Sequence, residues 1–124
     1  MQRDKIIRAI TLVGGLGFLL VGLWAFFGPH SFYERVAEFP PYNRHFIHDI
    51  GAFNIGIGLS LLFALAQRNA VQVVLGAAGV GSAFHAIGHF LDKSLGGKSS
   101  DPYVFSLLAL ILIVAAVIRL QPSE

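Results

Sequence analysis

The chain has 124 residues, 55% of them hydrophobic and only 13% charged, with no cysteine and a net charge of +2. A soluble domain carries about 25% charged residues, and a chain this small and this apolar lacks the polar side chains to cover a water-soluble bundle of buried helices. The missing cysteine excludes a disulfide framework, a thiolate metal site and a cysteine nucleophile, and the weak, dispersed charge argues against nucleic acid as a partner.

The first apolar run covers residues 9–27 and is broken only by Thr11. It meets the requirement of about 20 mostly apolar residues for a bilayer-spanning helix. Arg3, Lys5 and Arg8 precede it, as they would a signal peptide. Its apolar part is too long for a usual signal core and no A-x-A-like cleavage site follows Phe27, so it is read as a retained first span. Residues 28–45 form a proline-bearing loop rich in aromatic rings, which sit well at a membrane boundary. Within it SFYERVAEF, residues 31–39, suits a short interfacial helix starting at Ser31.

The second run covers 46–66 and the third 70–91. So tight a turn around Gln67 predicts an antiparallel hairpin. DKSLGGKSSDP, residues 92–102, is a polar, glycine-rich loop. Asp101 and Pro102 read as the N-cap and first residue of the last helix. The fourth run, 103–118, reaches span length if it extends to Leu120. The expectation is a single all-α domain over 1–124: an integral membrane four-helix bundle with spans at about 9–27, 46–66, 70–91 and 103–120.

Four spans place both termini on one side. The 9 Lys and Arg residues divide almost evenly between the sides. Arg68, Arg119 and the three cations before the first span lie with the termini; Arg35, Arg44, Lys93 and Lys98 lie opposite. Asp4 and Glu124 share the terminal side. The cations ahead of the first helix set the orientation. Both termini are therefore expected in the cytoplasm. Glycines crowd the first three spans, and small residues let helix backbones approach closely in lipid, so those three are expected to pack together. The last span, poorer in small residues, is expected to face lipid or a second copy of the chain.

All 5 histidines fall on the side opposite the termini. NRHFIHD (43–49) opens the second span there and HAIGHFLD (85–92) closes the third. At about 1.5 Å per residue, His85 lies roughly 9 Å and Asp49 about 5 Å inside that boundary. His45, His48 and Asp49 share one helical face, and so do Ser82, His85, His89 and Asp92. If both faces turn inward, imidazoles and carboxylates converge. His45, Asp49, His85 and His89 are the candidate metal ligands, with His48 and Asp92 as alternates or as residues that orient the imidazoles. Nitrogen and oxygen donors suit Zn, Fe, Mn or Cu(II). The only methionine is Met1, so no soft site for Cu(I) is expected.

Haem b is the rival cofactor, clamped non-covalently by one histidine from each of the second and third spans. Each residue also has a plainer reading. A boundary histidine often only bonds water or a carbonyl, Asp49 suits a helix N-terminus, Asp92 suits the start of a loop, and Ser82 suits a bond to its own helix backbone rather than a nucleophile's role. The set weighs more than its members, because ionisable residues in a span mark functional sites.

FLLVGLWAFFGPHSFYERV (18–36) followed by YNRHFIHDIGAFNIGIGL (42–59) resembles small four-helix bacterial membrane proteins of the DoxX-like group, nearest to uncharacterised actinobacterial members. The resemblance covers most of the chain, and its sharper motifs are N-x-H-x-x-x-D-x-G at 43–51 and H-x-x-x-H at 85–89. It implies the four-helix fold and matches His45, Asp49, His85 and His89 best. The quinone-coupled sulfur oxidation known for some of that group is not implied here, since the chain has no cysteine. The functional expectation is a metal-binding membrane protein, open to oxidoreductase or hydrolase chemistry on a lipid-soluble small molecule. The alternative is a non-enzymatic module that binds haem or lipid or serves in an assembly.

Overall fold

The computed structural model describes residues 2–67 and 69–120. Arg68 and Glu124, which enter the charge tally above, lie outside the described residues. The elements in order are α1 (Gln2–Phe27), α2 (Pro29–Arg35), α3 (Arg44–Ala64), α4 (Ala70–Leu91) and α5 (Asp101–Leu120). All are helices, and α1, α3, α4 and α5 are long and apolar enough to cross a membrane. The protein is an all-α membrane four-helix bundle, with both termini at one end. The opposite, distal end carries α2 and the loop after α4.

The element bounds follow local chemistry. α1 begins well before its apolar run, because QRDKIIR forms helix readily; Asp4 lies in its first turn, where the dipole favours a carboxylate, and Ile7 is buried. α2 starts at Pro29, whose missing N–H costs nothing in the first turn. It is shorter than expected and begins before Ser31, since the Ser31 hydroxyl instead donates to the Gly28 carbonyl and accepts from the Trp24 indole N–H. Asn43 caps α3 by accepting from the backbone N–H groups of His45 and Phe46. At α5 the Ser100 carbonyl accepts from the Val104 N–H, so Asp101 stands just inside the helix rather than at its cap.

Two antiparallel pairs build the bundle. α1 packs on α3 through Gly15 and Gly22 on one helix and Gly51 and Gly58 on the other. A Cβ added at Gly22 would lie 2.6 Å from the Ile55 amide nitrogen, one at Gly51 would lie 2.7 Å from that of Phe26, and one at Gly58 would lie 2.5 Å from that of Leu19. Both helices repeat glycine every seventh residue, so two small-residue seams meet backbone to backbone. α4 packs on α5, where a Cβ at Gly79 would lie 2.7 Å from the Ile113 side chain. Ala109, Leu112, Ala115 and Ala116 of α5 are buried.

This pairing corrects two expectations. The third span joins the fourth rather than packing tightly with the first two, and the fourth contributes a buried face instead of turning wholly to lipid. Alanines let α5 approach as glycines would, which is why a helix without glycine still pairs. The α3–α4 hairpin closes through a short turn, yet its helices touch sparsely, and a groove of about 420 Å³ between Phe53, Gly56, Val74 and Ala77 runs along their mid-span. The core shared by both pairs (Ile7, Leu61, Val71, Leu75, Leu112) lies in the half nearer the termini. A second small core of Ala25, Phe32 and Ile47 sits under α2 at the distal end.

Polar side chains inside the spans bond their own helices. Thr11, Asn54, Ser60, Ser82 and Ser106 each donate to the carbonyl four residues back, which removes the cost of an unpaired group in hydrocarbon. Ser82 therefore follows its plainer reading. At the terminal end Arg119 pairs with Asp4, and Arg8 donates to the Leu65 carbonyl at 3.2 Å.

Candidate functional site

At the distal end α4 and α5 run antiparallel, so residues late in one helix stand beside residues early in the other. His85 and His89 are one turn apart on α4; Asp101 and Phe105 are one turn apart on α5. The two imidazoles stack at a centroid distance of 4.8 Å, and both lie nearly parallel to the Phe105 ring, His85 at 3.9 Å and His89 at 5.0 Å. The Nε2 atoms of His85 and His89 are 3.0 Å apart. On the far side of the His89 ring, Nδ1 lies 3.9 Å from Asp101 Oδ2. Phe39, from the loop after α2, closes edge-on over His89 at 5.6 Å.

The loop after α4 holds this corner. The Asp101 carboxylate accepts from the Lys98 backbone N–H at 2.8 Å. The Gly97 N–H donates to the Glu38 carbonyl at 3.0 Å, and Gly97 adopts φ +78°, a conformation L side chains rarely take. The two distal loops are therefore tied together beside the pair. The side chains of His89 and Asp101 are 12% and 17% exposed, so water screens their interaction little.

The expected α3 ligands lie elsewhere. His45 Nε2 is 3.6 Å from Asp49 Oδ2, and these side chains are 78% and 50% exposed. His48 stacks on Phe26 of α1 at 5.1 Å. His30 pairs with Glu34 at 3.6 Å and meets the edge of Tyr42. Asp92 is the exposed C-cap of α4, with its backbone N–H on the Gly88 carbonyl. The expected convergence of His45 and Asp49 with His85 and His89 is thus corrected: among the described residues, no three or more His, Asp or Glu side chains form a group able to hold a metal. The physical reason is the pairing. Gly51 and Gly58 commit α3 to α1, and the histidine face of α4 turns to α5.

Two residues that matter at this site have weak signals in the sequence. Asp101 reads locally as a helix cap, and Phe105 as one more apolar residue. The signal that finds them is topological: any four-span arrangement brings residues 101–105 to the same depth as 85–89. No family model, curated protein or solved structure matches the chain.

Proposed function

We propose that this membrane protein binds a divalent transition metal through His85 Nε2 and His89 Nε2 in the outer-leaflet half of the bilayer. The observation that carries the reading is the 3.0 Å separation of the two nitrogens. Two imidazoles on one tetrahedral zinc, each about 2.0–2.1 Å from the metal, stand roughly 3.3 Å apart, so a small ring rotation admits the ion. Asp101 Oδ2 stands 3.9 Å from the opposite nitrogen of His89; closing to hydrogen-bond distance, it would be the carboxylate that commonly fixes the tautomer of a metal-bound imidazole. Phe105 lies nearly parallel to both rings and packs against them. Nitrogen donors without thiolate or thioether favour Zn, Fe or Cu(II). Two protein ligands leave the remaining coordination positions to water or to a bound molecule.

His45, Asp49, His48 and Asp92 are left out of the ligand set. The cations before α1 support cytoplasmic termini and so an outer-leaflet pair. Membership of the DoxX-like group belongs to the same proposal and is supported by the four-span architecture alone; none of that group's chemistry is drawn from it.

The test is Cu(II) electron paramagnetic resonance, with elemental analysis, on untagged protein in detergent. The expected spectrum shows two coupled imidazole nitrogens, lost in both His85→Ala and His89→Ala and kept in His45→Ala. A metal that survives both α4 substitutions, or that leaves with His45→Ala, overturns the reading.

A further inference from the structure

A second feature of the distal end concerns a different ligand and does not depend on the metal. Between the end of α4 and the start of α5 lies an open cavity of about 620 Å³. Its wall carries Lys93, Lys98, Ser99, Ser100 and Tyr103 beside His89, and no carboxylate. The Asp101 carboxylate stands behind the wall, where the Lys98 backbone N–H and the nearby His89 ring engage it. The neighbouring groove, across Gly96 and Gly97, has the opposite character, with Glu34 and Glu38 and no cation in its wall. Charge is thus sorted by position at this end of the molecule.

The two lysines are held rather than loose. Lys93 Nζ sits 4.9 Å over the Phe90 ring and 5.9 Å from that of Tyr103. Lys98 Nζ donates to the Arg35 carbonyl at 2.5 Å, which leaves two of its three N–H groups for a ligand. The serine hydroxyls add neutral donors. Ammonium groups and hydroxyls around a space without carboxylates recognise phosphate. The surroundings say how that phosphate is carried. The cavity opens where the membrane helices end, and beside it Leu91, Tyr103, Val104 and Leu107 are 77%, 62%, 58% and 58% exposed. A ligand with its phosphate in the cavity would lay an apolar tail along that face of α5.

We propose that this cavity seats the phosphate of an anionic lipid, with Lys93 and Lys98 as the charged contacts. The experiment is native mass spectrometry of the full chain released from detergent micelles doped with phosphatidylglycerol or phosphatidylcholine. A parallel arm reads thermal unfolding with inorganic phosphate in micelles free of anionic lipid. The expected result is selective retention of phosphatidylglycerol. A lysine near an anionic lipid surface contributes about five-fold in affinity, so Lys93→Gln/Lys98→Gln should lower retention roughly twenty-five-fold. Lys5→Gln/Arg8→Gln removes the same charge at the terminal end and should change nothing. Lys98 also ties down the α2 loop, so Lys93→Gln alone, which leaves that tie intact, is the second variant; its expected loss is about five-fold. His85→Ala, which breaks the proposed metal pair, should retain lipid fully. Equal retention of both lipids, or equal loss in the terminal-end variant, overturns the proposal. Stabilisation by inorganic phosphate without lipid preference overturns the lipid source.

Discussion

Gly58→Ala tests the α1–α3 seam directly, because an internal control lies two positions away. A Cβ at Gly58 would stand 2.5 Å from the Leu19 amide nitrogen and 2.8 Å from the Gly15 carbonyl oxygen, whereas a Cβ at Gly56 would meet nothing within 4 Å. Ordinary Cβ contacts begin at 3.4 Å, so the helices must part locally by roughly 0.9 Å. Both obstructing atoms are backbone, so no side-chain rotation relieves the clash. Overpacking of this kind costs about 1–3 kcal/mol. Alanine regains roughly 0.5–1 kcal/mol over glycine inside a helix. The net expectation is a destabilisation of roughly 0.5–2 kcal/mol for Gly58→Ala, against a stabilisation of up to about 1 kcal/mol for Gly56→Ala. Unfolding by sodium dodecyl sulfate in mixed micelles measures both, with the chain's single tryptophan, Trp24 on α1, as the probe. If Gly58→Ala is as stable as Gly56→Ala, α1 and α3 do not meet backbone to backbone and the pairing described here is wrong.

Asn43→Ala should cost about 1 kcal/mol in the same assay, with Asn43→Asp or Asn43→Ser restoring it, because the side-chain oxygen caps two N–H groups of α3. Asp101→Asn should weaken metal binding about 10–100-fold while Asp92→Asn leaves it unchanged, as read by competition with a chromogenic chelator; equal effects would remove Asp101 from its orienting place behind His89. A double-mutant cycle on Asp4 and Arg119, whose side chains are 38% and 24% exposed, should give a coupling below about 1 kcal/mol that shrinks as salt is raised. A larger, salt-insensitive coupling would mean the pair is shielded from water.

The histidine site was legible in the sequence only in part. The period of the α4 residues places His85 and His89 on one face, and the count of spans places every histidine at one end; both follow from chain geometry and needed no tertiary contact. Which helix that face meets is a different kind of question. Helical phase is a local property, whereas the partner is chosen by where backbones can approach most closely. Gly51 and His48 lie nearly one above the other on α3, so the close approach of Gly51 to the Phe26 backbone carries His48 onto the Phe26 ring. Asp101 stayed hidden because a carboxylate at a helix start has a sufficient local explanation.

The sequence by itself determined the solvent, the spanning helices and the turns between them. Long apolar runs must satisfy their backbone within the segment, so they become spanning helices, and polar or proline-rich stretches mark the turns between them. Only the tertiary structure decided the pairing of α1 with α3 and of α4 with α5, and with it which carboxylate stands behind His89. In lipid no hydrophobic force selects one apolar face over another. The choice falls to small-residue seams that fit against one another, and fit between two surfaces exists only once both are folded and side by side.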